Sequence, residues 1–535
     1  MLGLIYRFSK GCFLTADITR RIEGRLAILY PLEENEILKK TAKHLIRLYL
    51  LVLILGFLML FMAEISLYYT MVAGMTIYSI VNSRIYKGFD KLELKLLEHM
   101  LKFIESVKFK FQFDGMLEEA ILEAITDSDD VMAVHGQLIY EHLKDSYIKD
   151  TCDYGEVSPH QFFLTFYSLC ESVIKYGDKK DENGSLFIKN LGYLKEDIGL
   201  EILKKKAVQG QFIGLGVMCI LPVFCIKPIE LWATYNMPEL VQHYDSVMGR
   251  MITIILALLC VLIYKIVQSL EYPGRAITGK KRWVVRLMRY HCINSLNTRY
   301  MNKHLVYLKK IEKLLKQVAY PYNIAEFCVR RKSCSIGTGV FSLIILFAIG
   351  CGWYSLPLAL AAGVVYYHSQ ILYIKAKSRL MMMEQEDEII RFQGIILMLM
   401  HADRITVDQI LSQMERFARN FKAQIEEISD QLSYKGMVVF KEAKDKTEFL
   451  PFSRLLDGFI ACDDMFIHKA FEDVEIDRRY YIEKHKQDNA LYIEQRGALA
   501  KFMAYIPLCT VVIVKLVIPF VIEGMEQMAV SGMGL

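Results

Sequence analysis

The stretch closest to a catalytic motif is GRAITGKK, Gly274 to Lys281, which fits the G-x-x-x-x-G-K spacing of a phosphate-binding loop. Such a loop needs a preceding buried strand to aim its backbone N–H groups, and a Ser or Thr hydroxyl for the metal. Here Lys281 stands in the hydroxyl position and the stretch follows an apolar run directly, so it reads as a solvated basic loop. His401 with Asp403, and Cys462 with Asp463 and Asp464, pair metal-ligating types without partners at suitable spacing, and read as helix-turn surface. The twelve cysteines include no C-x-x-C pair; Cys328 and Cys334 stand too isolated for a zinc site, and reduced, unligated thiols are expected. No cofactor, metal site or catalytic constellation follows from these residues. Lys515 is the sharper case. A lysine inside an apolar span costs a few kcal/mol unless it snorkels, pairs or faces a polar cavity. Two readings stay open: snorkelling to the outer headgroups, or contact with an acidic group on a partner's helix.

The elements around these residues are set by segregation of apolar and charged stretches. The chain is 53% hydrophobic yet 23% charged, with a mean hydropathy of +0.25. Apolar runs long enough to cross about 30 Å of hydrocarbon occur near Leu45–Ala63, Ile65–Val81, Gly210–Pro228, Met251–Gln268, Ser335–Gly352, Leu356–Ile374 and Phe502–Ile522. The first follows some forty residues with scattered charges and no small-residue cleavage site comes after it, so it is expected to stay in the mature protein. Between Glu271 and Cys334, fifteen Lys and Arg face only Glu271, Glu312 and Glu326, which places that segment in the cytoplasm. The connection from Ile229 to Gly249 and the tail after Ile522 hold acids and no Lys or Arg, and are expected outside. Pro228 and Pro519 are expected to kink or end their spans near that outer face.

The runs repeat. A shift of 290 residues carries the first pair of spans onto Ser335–Trp353 and Ser355–Ile371, Phe212 onto Phe502, and Cys219 onto Cys509. It also carries GMLEEAILEAI (Gly115 to Ile125) onto ITVDQILSQME (Ile405 to Glu415), and places Lys515 opposite Cys225, close to Lys227. The unit is two spans, a charged block and a third span; Met251–Gln268 returns the chain so that both copies insert alike. In both blocks apolar residues recur at three- and four-residue spacing, which predicts helices and no sheet. The expected fold is an all-α integral membrane protein with about seven transmembrane helices and two cytoplasmic helical-bundle domains in a parallel internal repeat. Its parts are a cytoplasmic N-terminal segment (1–44), a hairpin of spans (45–82), a first helical domain (83–209) and two spans (210–268). A basic linker (269–334), a second hairpin (335–374), a second helical domain (375–501), the last span (502–523) and an external tail (524–535) complete it. GQFIG (Gly210 to Gly214), Ala359 and Gly363 offer close helix approach. The linker between Lys280 and Lys316 reads either as an amphipathic segment on anionic inner-leaflet lipid or as a plain connection. Nucleic acid is not expected as a partner.

In this order of parts the chain resembles the type II secretion system F protein family, and within it the membrane platform proteins of tight-adherence (Tad) pili. LLEHMLKFIESVKFKFQFDGMLEEAILEAI and EIIRFQGIILMLMHADRITVDQILSQM look like two instances of that family's opening helix pair, as though two platform proteins were fused from about Leu45 to Gly524. The glycine before the small helix is Gly115 in the first; Arg404 or a neighbour stands there in the second, which also lacks a fourth span. The resemblance implies a non-enzymatic platform in a bacterial or archaeal plasma membrane, with a cytoplasmic hexameric secretion ATPase and pilin-like subunits as partners and a homo-oligomeric or pseudo-dimeric state. The partner-binding candidates are Leu117, Glu118, Glu119, Ile121, Val407, Asp408, Leu411 and Lys515. A transporter or permease with its pathway between the repeats is the alternative, and it requires several polar groups inside the spans.

Overall fold

The computed structural model describes residues 2–11, 13–29, 34–62, 67–146, 158–178, 180–181, 184–271, 284, 288, 291–318, 322–348, 355–400, 405–447 and 449–532. GRAITGKK (274–281), Cys351 and the 401–404 turn with His401, Asp403 and Arg404 lie outside them.

The described chain is helical almost throughout. It opens with α1 (Leu2–Gly11), α2 (Phe13–Leu29), α3 (Glu34–Met62) and α4 (Leu67–Asp114). The first block continues with α5 (Leu117–Thr126), α6 (Asp130–Ser146), α7 (Gln161–Tyr176) and α8 (Leu186–Phe212). Then come α9 (Leu215–Asn236), α10 (Leu240–Asp245), α11 (Val247–Glu271), α12 (His291–Lys303), α13 (Leu305–Gln317), α14 (Ile324–Ala348) and α15 (Ser355–Leu399). The last stretch holds α16 (Val407–Phe417), α17 (Lys422–Lys435), α18 (Val438–Lys446), α19 (Leu450–Ala461), α20 (Ile467–Ala470) and α21 (Glu472–Val512), which passes through a π-turn at Ile513–Val517 into α22 (Ile518–Gly532). Among the described residues the only strand pairing is a two-residue antiparallel contact, Lys180–Asp181 with Gly184–Ser185.

Residues 1–58, 77–211 and 385–495 form one compact unit. Its helices bury the stripes that the sequence spacing sets out. On α4 these are Leu97, Met100, Ile104 and Val107, on α5 Leu117, Ala120, Ile121 and Ala124, and on α16 Val407, Ile410, Leu411 and Met414. Gly115, with φ +69°, turns the chain sharply between α4 and α5, a conformation that costs glycine nothing. α16 starts on a reciprocal cap. The Gln409 backbone N–H donates to Thr406 Oγ1 and the Thr406 N–H to Gln409 Oε1, satisfying two donors that a helix start leaves free. His160 caps α7 by accepting the Phe162 N–H on Nδ1; burial holds its imidazole down at about 4, so the accepting nitrogen stays unprotonated.

The two charged blocks, expected as separate domains, share a single hydrophobic cluster with Ile22, Leu26 and Leu45 of the N-terminal helices. Arg391 donates to Gln161 at 2.9 Å and Arg416 pairs with Glu171 at 3.6 Å, tying α15 and α16 of the second block to α7 of the first. Inside the second block, the fully buried Glu388 of α15 accepts the N–H groups of Arg419, Asn420 and Phe421 at 2.7, 2.9 and 3.3 Å, where α17 begins. A carboxylate there meets the positive end of the helix and three donors at once. Replacing it leaves those donors buried and unmade, so Glu388→Ala is expected to cost about 2–4 kcal/mol. Thermal unfolding followed by circular dichroism checks this, with exposed Glu427→Ala, whose carboxylate only pairs with Lys446 at the surface, as the near-neutral control.

The second unit comprises residues 59–76, 212–384 and 496–535. In it, α9, α11 and the C-terminal helix pack around Val223, Ile226, Leu256, Ala257, Cys260 and Val511. Further along, α13 buries Leu308, Ile311 and Leu315 against Tyr322, Phe327, Ile371 and Ile374, while Lys309, Lys310 and Lys313 stay exposed. That apolar stripe is therefore used in internal packing, and the exposed face carries the lysines together with Val306 and Tyr307. Of the small residues singled out, Gly363 sits under close backbone approach: a Cβ there would lie 3.2 Å from the Ser335 carbonyl oxygen. Gly210 has open space around it, and Gly214, at φ +77°, breaks α8 from α9.

Three helical stretches are long and apolar enough to cross a membrane, Leu186–Asn236, Met248–Glu271 and Ile482–Met528. They contain the runs expected at Gly210–Pro228, Met251–Gln268 and Phe502–Ile522. Each of the other four expected runs includes residues outside those whose side chains are described.

Candidate functional site

The apolar helices of the second unit enclose a cluster of polar side chains. Its centre is Lys515, 1% exposed, which donates from Nζ to Glu230 Oε1 at 2.6 Å and to the Gly249 carbonyl at 3.3 Å. Lys227, one turn before Glu230 on α9, reaches the other carboxylate oxygen at 2.9 Å. Thr253 on α11 donates to the Gly249 carbonyl at 3.1 Å and lies 3.4 Å from Glu230 Oε1. The Tyr244 ring lies 5.4 Å from the ammonium. Burying a charge in apolar surroundings is tolerated only with such pairing and hydrogen bonding.

The backbone explains why the chain folds this way at Lys515. Pro519 has no N–H, so in an α-helix the carbonyl four residues earlier, that of Lys515, loses its partner. The helix answers with the π-turn Ile513–Val517, and the freed carbonyl accepts the Tyr244 hydroxyl at 2.7 Å. On the other side of the cluster, the Gly249 N–H donates to Ser246 Oγ at the start of α11. A Cβ on Gly249 would stand 2.4 and 2.5 Å from the His243 and Tyr244 carbonyl oxygens. Gly249→Ala must push backbone aside, and is expected to cost about 2–4 kcal/mol and to lower the yield of folded, detergent-extracted protein. Gly210→Ala, in open space within a helix, is the control and is expected to be neutral or slightly stabilising.

Two sequence expectations are corrected here. The span expected at Gly210–Pro228 does not end at its proline: α9 runs through Pro228 to Asn236, which puts Glu230 on a buried helix face. Lys515 does not snorkel, and the acid it meets is this chain's own Glu230 rather than one on a partner's helix.

A second charged cluster lies in the first unit. His485 of α21 has Nε2 2.5 Å from Asp387 Oδ1 and Nδ1 3.4 Å from Glu386 Oε2, both on α15. Lys204 of α8 donates to Asp387 Oδ2 at 3.2 Å. Burial by itself would raise the Asp387 carboxyl, but the His485 hydrogen bond and the Lys204 charge outweigh it and hold the group at about 2. Burial likewise disfavours the imidazolium, yet the Asp387 and Glu386 carboxylates push His485 up to about 9. The cluster thus pins together three helices, α8, α15 and α21.

The remaining candidates separate by burial. Leu117, Ile121, Val407 and Leu411 are core residues, at most 8% exposed, so they shape α5 and α16 and present nothing to a partner. Glu118 and Glu119 point outward on α5. Asp408 is exposed too, and lines a cavity of about 250 Å³ between α16 and α7. Sequence reasoning missed Glu230, Tyr244, Thr253 and the Asp387–His485 pair. Only Pro519, four residues after Lys515, signalled a freed carbonyl in need of a donor.

The class defined by these observations is an all-α chain with three helices able to cross a membrane and a buried ion pair among them. No family model, curated protein or solved structure matches the chain.

Proposed function

We propose that the chain is a non-enzymatic inner-membrane platform of a type II secretion or Tad-like pilus machine, a fusion of two platform units crossing the membrane about seven times. The observation that carries the reading is helix register. The first residues of α5, α6, α7 and α8 (117, 130, 161, 186) precede those of α16, α17, α19 and α21 (407, 422, 450, 472) by 286 to 292 positions. A near-constant offset over four helices of differing length supports two copies of one unit in parallel. The pinned helices suit the role. α21 leads without interruption from the His485 cluster to the apolar run at Phe502–Ile522, so torque applied by a cytoplasmic ATPase to the first unit has a continuous helix to act on. Pilin-like subunits are the cargo, the exposed lysine face of α13 meets anionic inner-leaflet lipid, and the N-terminus lies in the cytoplasm.

The transporter reading has one observation in its favour, the polar cluster of Lys227, Glu230, Tyr244, Thr253 and Lys515. Its charges are engaged with one another, and Glu230 and Lys515 are buried, which suits a structural lock better than a passage. Co-expression of the full-length chain with a hexameric secretion ATPase and a pilin-like subunit, followed by affinity purification in mild detergent, separates the two. Retention of both is expected. Retention of neither, together with solute uptake by liposomes holding the chain alone, would overturn the platform reading. A deletion of 375–501 is unsuitable as a control, because those residues complete the core shared with the first block.

A further inference from the structure

We infer that the elbow between α4 and α5 is the docking face for a partner protein that presents basic side chains around an apolar centre; on the platform reading, that partner is the cytoplasmic ATPase. Four large apolar side chains stand in solvent within fourteen residues: Phe109 (63% exposed), Phe113 (75%), Met116 (54%) and Leu122 (42%). The two phenyl rings, one turn apart, meet edge to face at 4.9 Å, so they form one surface. Contiguous exposed apolar surface of this kind marks an interaction site more often than scattered single residues do. Asp114, Glu118 and Glu119 are exposed around it. Of the neighbouring carboxylates, Glu105 pairs with Lys195, and Glu123 and Asp127 share Lys110, so the acidic rim is densest at the Phe113–Met116 corner.

The second block shows the equivalent face where it borders a cavity. Under the 290-residue shift, Phe109 corresponds to Leu399, Glu119 to Gln409 and Leu122 to Ser412. Those residues line the cavity facing α7, and Leu399 is only 8% exposed. That face, where Leu399 is buried but Gln409 and Ser412 are exposed, is less acidic and less aromatic; the elbow of the first block keeps two phenylalanines and three carboxylates in water. Lipid is the wrong occupant. Phe113 lies 32 residues along α4 from Val81, where the proposed span ends, about 48 Å at 1.5 Å per residue, and a carboxylate rim repels anionic headgroups. Complementarity of charge selects a basic partner surface.

The test measures binding of the purified hexameric ATPase to the full-length chain in nanodiscs for wild type, Phe113→Ala, the double variant Glu118→Lys/Glu119→Lys, and Asp408→Lys. Expected are at least tenfold weaker binding for the first two variants, little change for Asp408→Lys, and wild-type binding that weakens as salt rises. Wild-type affinity in all variants would overturn the docking face while leaving the platform reading intact. Absence of ATPase binding by the wild-type chain would instead defeat the platform reading and the inference with it. A Phe113→Cys chain that cross-links to a second copy of itself in native membranes would also overturn the inference, with self-association as the occupant.

Discussion

Glu230→Gln is expected to destabilise the protein more than Lys515→Met, although the two residues make the same 2.6 Å contact. Removing one member of a buried ion pair costs about 3–5 kcal/mol, because the other is left charged in apolar surroundings. The two members are not equivalent here. After Lys515→Met, Glu230 keeps Lys227 at 2.9 Å and Thr253 nearby, so its charge stays compensated. After Glu230→Gln, Lys515 and Lys227 lose the carboxylate they share and confront each other. The loss for Lys515→Met is therefore expected toward the lower end of that range and for Glu230→Gln at or above its upper end. Lys515→Met/Glu230→Met, which removes both charges, is expected to recover part of the loss. Thermal denaturation of detergent-solubilised protein followed by size-exclusion chromatography gives the order directly. A neutral Lys515→Met would mean that the ammonium reaches lipid headgroups after all, and a reversed order would mean that Lys227 does not share the carboxylate.

How far the sequence goes depends on the distance between the residues that make each contact. Helices were legible because their signal is local: Leu117, Ala120 and Ile121 and their counterparts Val407, Ile410 and Leu411 are spaced for one face, and all six are buried. The cap of α16 has an equally local signature, Thr406 followed three residues later by Gln409, which sequence reasoning passed over. Lys515 was conspicuous because a lysine inside an apolar run stands alone. Its partner was not, since Glu230 lies 285 residues away and beyond a proline that sequence rules take as the end of a span. A helix in apolar surroundings tolerates proline where neighbouring groups satisfy the freed carbonyl, and Tyr244 does so for Lys515. The shared core of the two charged blocks was hidden for a related reason: periodicity shows that a face is apolar and says nothing about which other face covers it.

The same limit conceals the His485 cluster, which carries a strong pH dependence. His485 sits among charges on a helix whose sequence reads as solvated, and its partners Glu386 and Asp387 come 99 and 98 residues earlier. Its folded value of about 9 lies above the ordinary 6.5, so the native state holds the proton more tightly. The resulting stabilisation is complete below about pH 6.5 and is lost as pH rises through 9. A difference of about two and a half units corresponds to about 3 kcal/mol. Asp387, held at about 2 against an ordinary value near 3.8, limits the other side: its contribution is present above about pH 4 and disappears as pH falls toward 2. Both directions report one shared interaction, so the two contributions are not summed. The wild-type chain in nanodiscs is expected to be more stable at pH 6 than at pH 9.5, the difference arising where α15 meets α21. His485→Gln should flatten that dependence and melt at pH 6 close to where the wild type melts at pH 9.5. Asp387→Asn should flatten it as well, since the imidazolium then loses its nearest carboxylate. A wild-type profile that is level between pH 6 and 9.5, or one that His485→Gln leaves unchanged, would show that this cluster does not hold the three helices together.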